Sequence, residues 1–278
     1  MRVAVFSDVQ GNLPAMQTVV EDILRWHPDL VVLNGDLINR GPNSLDCLLR
    51  FEQLRRTLDW LPLRGNHEDY VLYCRDNPAA SATEGELRQF TDWTVQQLAT
   101  EARLLQDWAD HLTFPGQTHG DWVHVTHGTL AGNRDGVTAD RADSDLIARL
   151  PDDVALFVTA HTHRPLQRQL GDLSILNVGS VGAPFDGDER ASYARLEYRA
   201  GRWRVQVVRL DYDRRATERD FHDSGFLDQG GPLARLIFEE WRRATLLMGP
   251  WNRRYRSAVA AGELTLEQAV TAFLARLD

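Results

Sequence analysis

The sequence has few cysteines, no excess of positive charge and no long apolar run. Its two cysteines, Cys47 and Cys74, lack CxxC spacing, so we expect reduced thiols and neither a disulfide framework nor a thiolate metal site. The net charge of −9 argues against general binding to the nucleic-acid backbone. No segment reaches the roughly 18 apolar residues of a membrane span, and the amino terminus shows no signal-peptide pattern. These absences predict a soluble, cytoplasmic protein without a membrane partner.

The 278 residues are enough for one large α/β domain with a sizeable core. Val3 to Phe6 and Leu30 to Leu33 are short apolar runs on either side of an amphipathic stretch, which Asn12 can cap and Pro14 can begin. This β-α-β order predicts two parallel strands with a right-handed crossover. Further apolar runs predict strands at 60–63, 122–126, 154–159, 174–178, 193–198 and 203–210, the last two forming an antiparallel hairpin.

Helical patterns occupy three further parts of the chain. A helix is expected from Ser44, with Leu45, Leu48, Leu49, Leu54 and Leu58 facing inward. Residues 70–110 are interpreted as a helical insertion that covers one side of a site, or alternatively as a plain core-packing pair. We therefore predict a catalytic-type domain at 1–213 and a helical extension at 214–278 packed on it, in which Gly249-Pro250 separates helices. The alternative for the extension is a homo-oligomer contact or a pocket wall.

Residue types that bind metals follow five of the predicted strands. Asp36 follows the second strand, and the other strand ends carry Asp8 with Gln10, Asn66 with His67, His127, and His161 with His163. Each residue alone has an ordinary structural explanation, such as a turn or a hydrogen-bonded histidine. The carboxyl ends of neighbouring strands converge in this architecture, so we expect these side chains to surround one site. His124 is left out, because three residues of strand alternation turn it away from His127.

The combination of carboxylate, imidazole and amide ligands suits manganese, iron or zinc better than calcium. Two such ions roughly 3.5 to 4 Å apart can bind a phosphate oxygen and a shared hydroxide, so that water attacks phosphorus in line with the leaving group. One carboxylate has to bridge the two ions, and Asp36 is the best placed. His67 suits a proton-donating role at the leaving oxygen, and Arg40 can hold a phosphate oxygen bidentately.

These blocks, in this order, resemble the calcineurin-like metallophosphoesterase superfamily over about residues 1 to 210. Residues 35–45 are also similar to symmetrical diadenosine tetraphosphatases and to serine/threonine phosphoprotein phosphatases, whereas residues 177–188 are similar to small bacterial phosphodiesterases. The resemblance implies a four-layer α/β/β/α sandwich of two mixed sheets.

The resemblance also implies individual roles. One metal would be held by Asp8, Gln10, Asp36 and His163, and the other by Asp36, Asn66, His127 and His161. His67 would be the proton donor and Arg40 a phosphate contact. Two positions depart from the pattern, because Gln10 stands where the family usually has histidine and Ala160 where it has glycine. An amide oxygen is a poorer ligand than imidazole, which bears on the occupancy of the first metal and not on the fold.

We therefore predict a dinuclear-metal phosphoesterase acting on small phosphodiester or nucleotide-type substrates. As a hypothesis, Arg40 favours dinucleoside polyphosphates. Two alternatives stay open: a serine/threonine phosphatase-like monoesterase, and a metal-binding regulatory or scaffold protein with weak or lost catalysis, for which Gln10 is the first sign. A nuclease is disfavoured by the acidic balance and the lack of a basic aromatic stripe.

Overall fold

In a computed structural model of the protein, which describes residues 1–116 and 120–277, ten strands form two five-stranded sheets. Across the first sheet lie β10 (Arg202–Leu210), β9 (Ala191–Arg199), β1 (Arg2–Phe6), β2 (Leu30–Asn34) and β3 (Leu61–Leu63). β1, β2 and β3 are parallel, whereas β9 is antiparallel to both β1 and β10. The predicted parallel pair and the predicted hairpin at the edge of the sheet are both confirmed.

The second sheet is also mixed. Across it lie β4 (His111–Phe114), β5 (Val123–Thr126), β6 (Leu156–Thr159), β8 (Leu173–Asn177) and β7 (Leu166–Leu170). The sequence analysis missed β4 and β7, which occupy the two edges. Apart from the buried Phe114, their residues alternate between half-buried and exposed, so neither strand has the continuous apolar run that identifies a strand buried on both faces.

Apolar side chains from both sheets meet between them. Val3, Val5 and Val32 come from the first sheet, and Val125 and Val158 from the second; all five are fully buried in one cluster. Burying a side chain of this size contributes about 1.5–3 kcal/mol, so this layer holds the sheets face to face. With helices on the outer faces, the four-layer α/β/β/α sandwich is confirmed.

The helices are close to those predicted in the first half of the chain. In the described residues they are α1 (Leu13–Trp26), α2 (Ser44–Leu58), α3 (Asn66–Asp76), α4 (Ala82–Leu98), α5 (Asp143–Ile147) and a 3₁₀ helix at Ala99–Leu105. Asn12 caps α1 by accepting a hydrogen bond from the Ala15 N–H at 3.2 Å. The inward face predicted for α2 was wrong in part, because Leu49 and Leu58 are 46% and 48% exposed. Phe51, which is fully buried, belongs to the inward face instead.

The carboxyl-terminal part of the chain is helical, with α6 (Arg214–Asp223), α7 (Phe226–Gln229), α8 (Pro232–Arg243), α9 (Met248–Ala260) and α10 (Leu266–Leu274). Its apolar side chains form one cluster with Phe90 and Trp93 of α4. The expected break at Gly249-Pro250 was wrong, because both residues lie in the first turn of α9, where proline needs no hydrogen-bond donor. No helix in the described residues is long and apolar enough to span a membrane.

Candidate active site and metal centre

The loops that follow β1, β2 and β6 carry five predicted ligands in left-handed backbone conformation. The φ angles are +54° at Asp8, +48° at Gln10, +53° at Asp36, +67° at His161 and +58° at His163. This conformation costs a non-glycine residue about 1–2 kcal/mol, so surrounding contacts have to hold it. Two such contacts join the first two loops, because Asp8 N–H donates to the Gly35 carbonyl at 3.1 Å and Gln10 N–H to the Asp36 carbonyl at 3.0 Å.

The structure brings the predicted carboxylates and histidines together in two overlapping clusters. One contains Asp8, Asp36 and His163, and the other contains Asp36, His127 and His161; within each, the ligand atoms lie within 4.8 Å of one another. Asp36, which is 1% exposed, belongs to both clusters. A carboxylate in this position can coordinate two cations, one with each oxygen.

The two predicted amide ligands lie at the edges of these clusters. The Gln10 amide nitrogen is 3.3 Å from His163 Nε2, and the Asn66 Oδ1 atom is 3.2 Å from His127 Nε2. A half-turn of the Gln10 amide exchanges its oxygen and nitrogen, so either atom can face the cluster. All seven predicted metal ligands therefore lie in the two clusters or beside them.

The histidine hydrogen bonds fit a bound cation. His127 Nδ1 donates to the Asn34 carbonyl at 2.8 Å, and His163 Nδ1 donates to the Ala183 carbonyl at 2.5 Å. Each ring therefore turns Nε2 towards the carboxylates, which is the arrangement of a metal-ligating histidine. Asp8 Oδ1 is buried without a hydrogen bond from any described residue, although His163 Nε2 is 3.1 Å away. A cation held by Asp8 and His163 would satisfy both lone pairs, so the residues present fit divalent metal ions.

The charges of Asp36 and His127 stabilise each other in the absence of a metal. Burial raises the pKa of the Asp36 carboxyl, but the neighbouring His127 and His67 outweigh burial and hold that pKa well below its usual range. Burial lowers the pKa of His127, but the charge and hydrogen bond of Asp36, together with the charge of Asp8 and the bond to Asn34, outweigh burial and raise that pKa to about 10. In the metal-free protein, a proton on His127 therefore balances the charge of Asp36.

Glu68 holds the loop of Asp36, a role that the sequence analysis did not assign. Its fully buried carboxylate accepts hydrogen bonds from the N–H groups of Asp36, Leu37 and Gly65, each at 2.8 Å. Burial and the charge of Asp36 raise the pKa of Glu68 to about 7, which the bonds from backbone N–H groups oppose. Gly65 has to lack a side chain here, because a Cβ atom would overlap Asp36 Oδ1. The sequence offered one signal for this role, because a glutamate three residues after the residue that caps a helix often accepts a hydrogen bond from that residue's backbone N–H.

Asn39 fixes the orientation and tautomer of His67. The Arg40 N–H donates to Asn39 Oδ1 at 3.0 Å, so the other amide atom is the nitrogen, which donates to His67 Nδ1 at 3.0 Å. The hydrogen of the neutral ring therefore lies on Nε2, which is 3.9 Å from Asp36 Oδ2. Burial lowers the pKa of His67 to about 3, and the charge of Asp36 does not compensate, so the ring is neutral at pH 7.

Arg40 lies over the clusters and is held from the carboxyl-terminal helices. Its guanidinium forms a salt bridge with Glu240 of α8, and both side chains are at least nine-tenths buried. Arg40 Nε–H is buried and donates to no acceptor within the described residues. Together with His67, Arg40 lines a cavity of about 400 Å³ above Asp36, His161 and His163. The sequence analysis missed Glu240, since nothing in the local pattern of α8 links it to the loop of Arg40.

His124 lies outside the metal clusters, as strand alternation predicted. Its Nδ1 atom is 2.9 Å from Thr113 Oγ1, and its ring stacks with those of His111 and Phe157. Burial lowers the pKa of His124 to about 4. Its environment is that of a structural histidine in the second sheet.

Comparisons with known proteins agree with this geometry. Phosphodiesterase YfcE of Escherichia coli K12 is 26% identical over 198 residues, which cover 71% of this chain and 88% of that protein. A symmetrical bis(5'-nucleosyl)-tetraphosphatase of Actinobacillus succinogenes is 26% identical over 219 residues, which cover 74% of this chain and 68% of that protein. The crystal structure of a metallophosphoesterase from Sphaerobacter thermophilus superposes with a TM-score of 0.65 at 25% identity and covers 83% of this chain and 98% of that one.

The model of the calcineurin-like phosphoesterase family matches residues 1–178, which is more than half of the chain. The match spans β1 to β8 and includes every predicted metal ligand, His67 and Arg40. The resemblance found in the sequence is thereby confirmed, as is the enzyme class, a hydrolase of phosphoric ester bonds. The chain belongs to the calcineurin-like phosphoesterase family.

Proposed function

We propose that the protein hydrolyses phosphodiester or nucleotide-type substrates at two divalent metal ions that share Asp36. The observation that carries the proposal is the position of Asp36 in both clusters of metal-ligand side chains. One ion would be held by Asp8, Gln10, Asp36 and His163, and the other by Asp36, Asn66, His127 and His161. Manganese, iron and zinc are the ions that suit this mixture of carboxylate, imidazole and amide groups.

When bound, two such ions supply an activated water and neutralise charge on the phosphate. The chain's own residues bind and orient the ester around them. The guanidinium of Arg40 lines the cavity above the clusters and can contact a phosphate oxygen, and its Nε–H donates to no acceptor within the described residues. His67 presents its Nε2 hydrogen to the same cavity and can donate it towards the oxygen of the leaving group.

The relatives support small phosphate esters as substrates. Two of them are named as a phosphodiesterase and as a tetraphosphatase of bis(5'-nucleosyl) compounds, and each aligns with more than two thirds of this chain. Both kinds of substrate contain a phosphorus atom bonded through oxygen to a second large group. We therefore favour a diesterase or nucleotide hydrolase over a monoesterase.

The test is the hydrolysis of two generic esters, p-nitrophenyl phosphate and bis-p-nitrophenyl phosphate. Metal-stripped protein is resupplied with manganese and compared with the Asp36→Asn variant. Several kcal/mol of transition-state stabilisation depend on the metals, so the variant is expected to lose about a thousandfold in rate. The matched control is Asp46→Asn, an exposed position on α2 with the same change of charge, which is expected to keep its activity.

A faster reaction with the diester supports the diesterase, and a faster reaction with the monoester would favour a phosphatase of the serine/threonine type. Equal rates for wild type and Asp36→Asn would contradict the role of Asp36. Folded wild-type protein without turnover under manganese, iron or zinc would overturn the proposed function.

A further inference from the structure

A groove leads away from the candidate active site between α3 and α4 on one side and the carboxyl-terminal helices on the other. It has a volume of about 860 Å³ and begins at Arg40, Asn66 and His67. Arg40 and His67 also line the cavity above the metal ligands, so the two spaces adjoin at these side chains. A pocket of this size is large enough for a ligand of several hundred daltons.

Apolar side chains from four helices form one part of the groove. Leu87 and Phe90 come from α4, Leu233 from α8 and Met248 from α9, and Tyr70 of α3 adds an aromatic ring. Phe90 and Leu233 are 8% and 3% exposed, so packing within their own cluster holds them in place. This surface suits a flat, weakly polar ring.

Two arginines form another part of the groove. Arg134 lies over the ring of Tyr70, with its guanidinium carbon 5.8 Å from the ring centroid, and Arg256 lies on α9. Neither forms a salt bridge with an acid in residues 1–116 or 120–277, in a chain of net charge −9. Glu84, the acid among the described lining residues, already accepts a hydrogen bond from the Ala80 N–H at 2.7 Å. The groove therefore offers cations to a second negative group.

We propose that this groove binds the leaving group of the substrate, and that this group is a flat ring carrying a phosphate or pyrophosphate, as in a nucleotide. The inference rests on the proposed function, in which His67 donates a hydrogen to the leaving oxygen. Because His67 separates the cavity above the metal ligands from the groove, a group that leaves past it enters the groove. The ring then contacts the apolar side chains, and its phosphates face Arg134 and Arg256.

The first experiment measures binding to metal-free protein, so that it does not depend on catalysis. Adenosine 5'-diphosphate is titrated by calorimetry into the wild type and into the double variant Arg134→Ala/Arg256→Ala. The double variant is expected to bind at least tenfold more weakly. The matched control is Arg253→Ala/Arg254→Ala, which removes two exposed arginines of α9 outside the groove lining and is expected to bind like the wild type.

Further probes separate the ring from the charge. Adenosine and inorganic pyrophosphate are each expected to bind at least tenfold more weakly than the diphosphate, since each uses one part of the groove. Leu87→Trp fills the space from a half-buried position and is expected to weaken binding by a similar factor. Equal affinity of wild type and Arg134→Ala/Arg256→Ala for the diphosphate would overturn the proposal, as would tight binding of pyrophosphate that Leu87→Trp leaves unchanged.

Hydrolysis distinguishes failure of the groove from failure of the proposed function. In the manganese-loaded protein, Arg134→Ala/Arg256→Ala is expected to lower kcat/KM for diadenosine tetraphosphate at least tenfold and to leave bis-p-nitrophenyl phosphate within twofold. Equal kcat/KM values of variant and wild type for both esters would reject the groove and keep the phosphoesterase. Binding of the diphosphate in the groove without hydrolysis of any ester would keep the groove as a nucleotide-binding site and reject the proposed function, and with it the leaving-group role.

Discussion

Arg40 and Glu240 are 200 residues apart in the sequence, and their side chains form a buried salt bridge beside the candidate metal centre. The other oxygen of Glu240 accepts hydrogen bonds from the N–H groups of Leu247 at 2.7 Å and Met248 at 2.6 Å. One carboxylate therefore ties the start of α9 to the arginine expected to contact phosphate. The carboxyl-terminal helices in this way take part in arranging the site.

Glu240→Gln tests this relationship. Glutamine keeps one oxygen for the two N–H groups but removes the charge that orients Arg40, so the arginine loses its fixed position. We expect KM for bis-p-nitrophenyl phosphate to rise about tenfold, the equivalent of about 1.4 kcal/mol, with kcat changed less. Steady-state kinetics check the prediction.

Glu239→Gln is the matched control, because Glu239 pairs with Arg242 and Arg243 at the surface of the same helix. It is expected to leave KM unchanged. A Glu240→Gln enzyme that is folded and has wild-type KM would contradict the positioning role.

Asn39→Asp changes the hydrogen bond that fixes His67. A carboxylate at this position accepts a hydrogen from Nδ1 where the amide now donates one, and its charge favours the protonated ring. We therefore expect the pKa of His67 to rise above its present value of about 3. A protonated His67 is a stronger acid, so the variant's rate is expected to fall as the pH rises through the new pKa of His67, whereas the wild type lacks this limb.

The pH dependence of kcat for an ester with a poor leaving group checks this prediction. The exposed Asn77→Asp, which changes the same group at the end of α3, is the control and is expected to keep the wild-type profile. Superimposable profiles for Asn39→Asp and wild type would contradict the assignment of the His67 tautomer.

Gln10→His introduces histidine, the usual ligand of the family, at the position where this chain has glutamine. Histidine tolerates the left-handed backbone at residue 10, and its imidazole is a better ligand for manganese or zinc than an amide. We expect about tenfold tighter binding of the metal held with Asp8 and His163. Metal titration followed by elemental analysis measures it, with the exposed Gln106→His as control. Unchanged affinity in a folded Gln10→His protein would show that residue 10 is not a ligand.

Metal binding is expected to release a proton from His127. The pKa of this group is raised to about 10 in the metal-free protein, so the ring is charged at pH 7 and must lose a proton to coordinate a cation. Metal affinity is therefore expected to increase with pH until about pH 10, where the ring has lost its proton. Calorimetry of manganese binding in buffers with different ionisation enthalpies counts the protons released.

Manganese binding is also expected to stabilise the folded protein. Manganese at a hundredfold excess over its dissociation constant adds about 2.7 kcal/mol to the free energy of unfolding, which raises the melting temperature by roughly 5 °C. Asp36→Asn is expected to lose most of this shift. A melting temperature insensitive to manganese, or binding without proton release at pH 7, would argue against His127 as a ligand.

Much of the fold follows from local patterns in the sequence. The strands β1, β2 and β6 contain continuous apolar runs that are almost wholly buried, and the β-α-β order of β1 and β2 predicts their parallel pairing. The edge strands β4 and β7 could not be found in this way, because their half-exposed residues lack such a run. Leu49 and Leu58 were wrongly assigned to the inward face of α2, because a leucine can also lie on the exposed face of a helix.

The sequence by itself determined the family, the four-layer architecture and the set of residues that surround Asp36. The family and the architecture followed from the resemblance that the motifs carry, and the set of residues followed from their positions shortly after strand ends, where chain order predicts spatial order. Only the tertiary structure decided which side chains hold the site: Glu68 under Asp36, Asn39 behind His67 and Glu240 beside Arg40. The partners of buried polar groups depend on distance and hydrogen-bond geometry between segments that are remote in the chain. The periodicity of either segment alone therefore does not predict them.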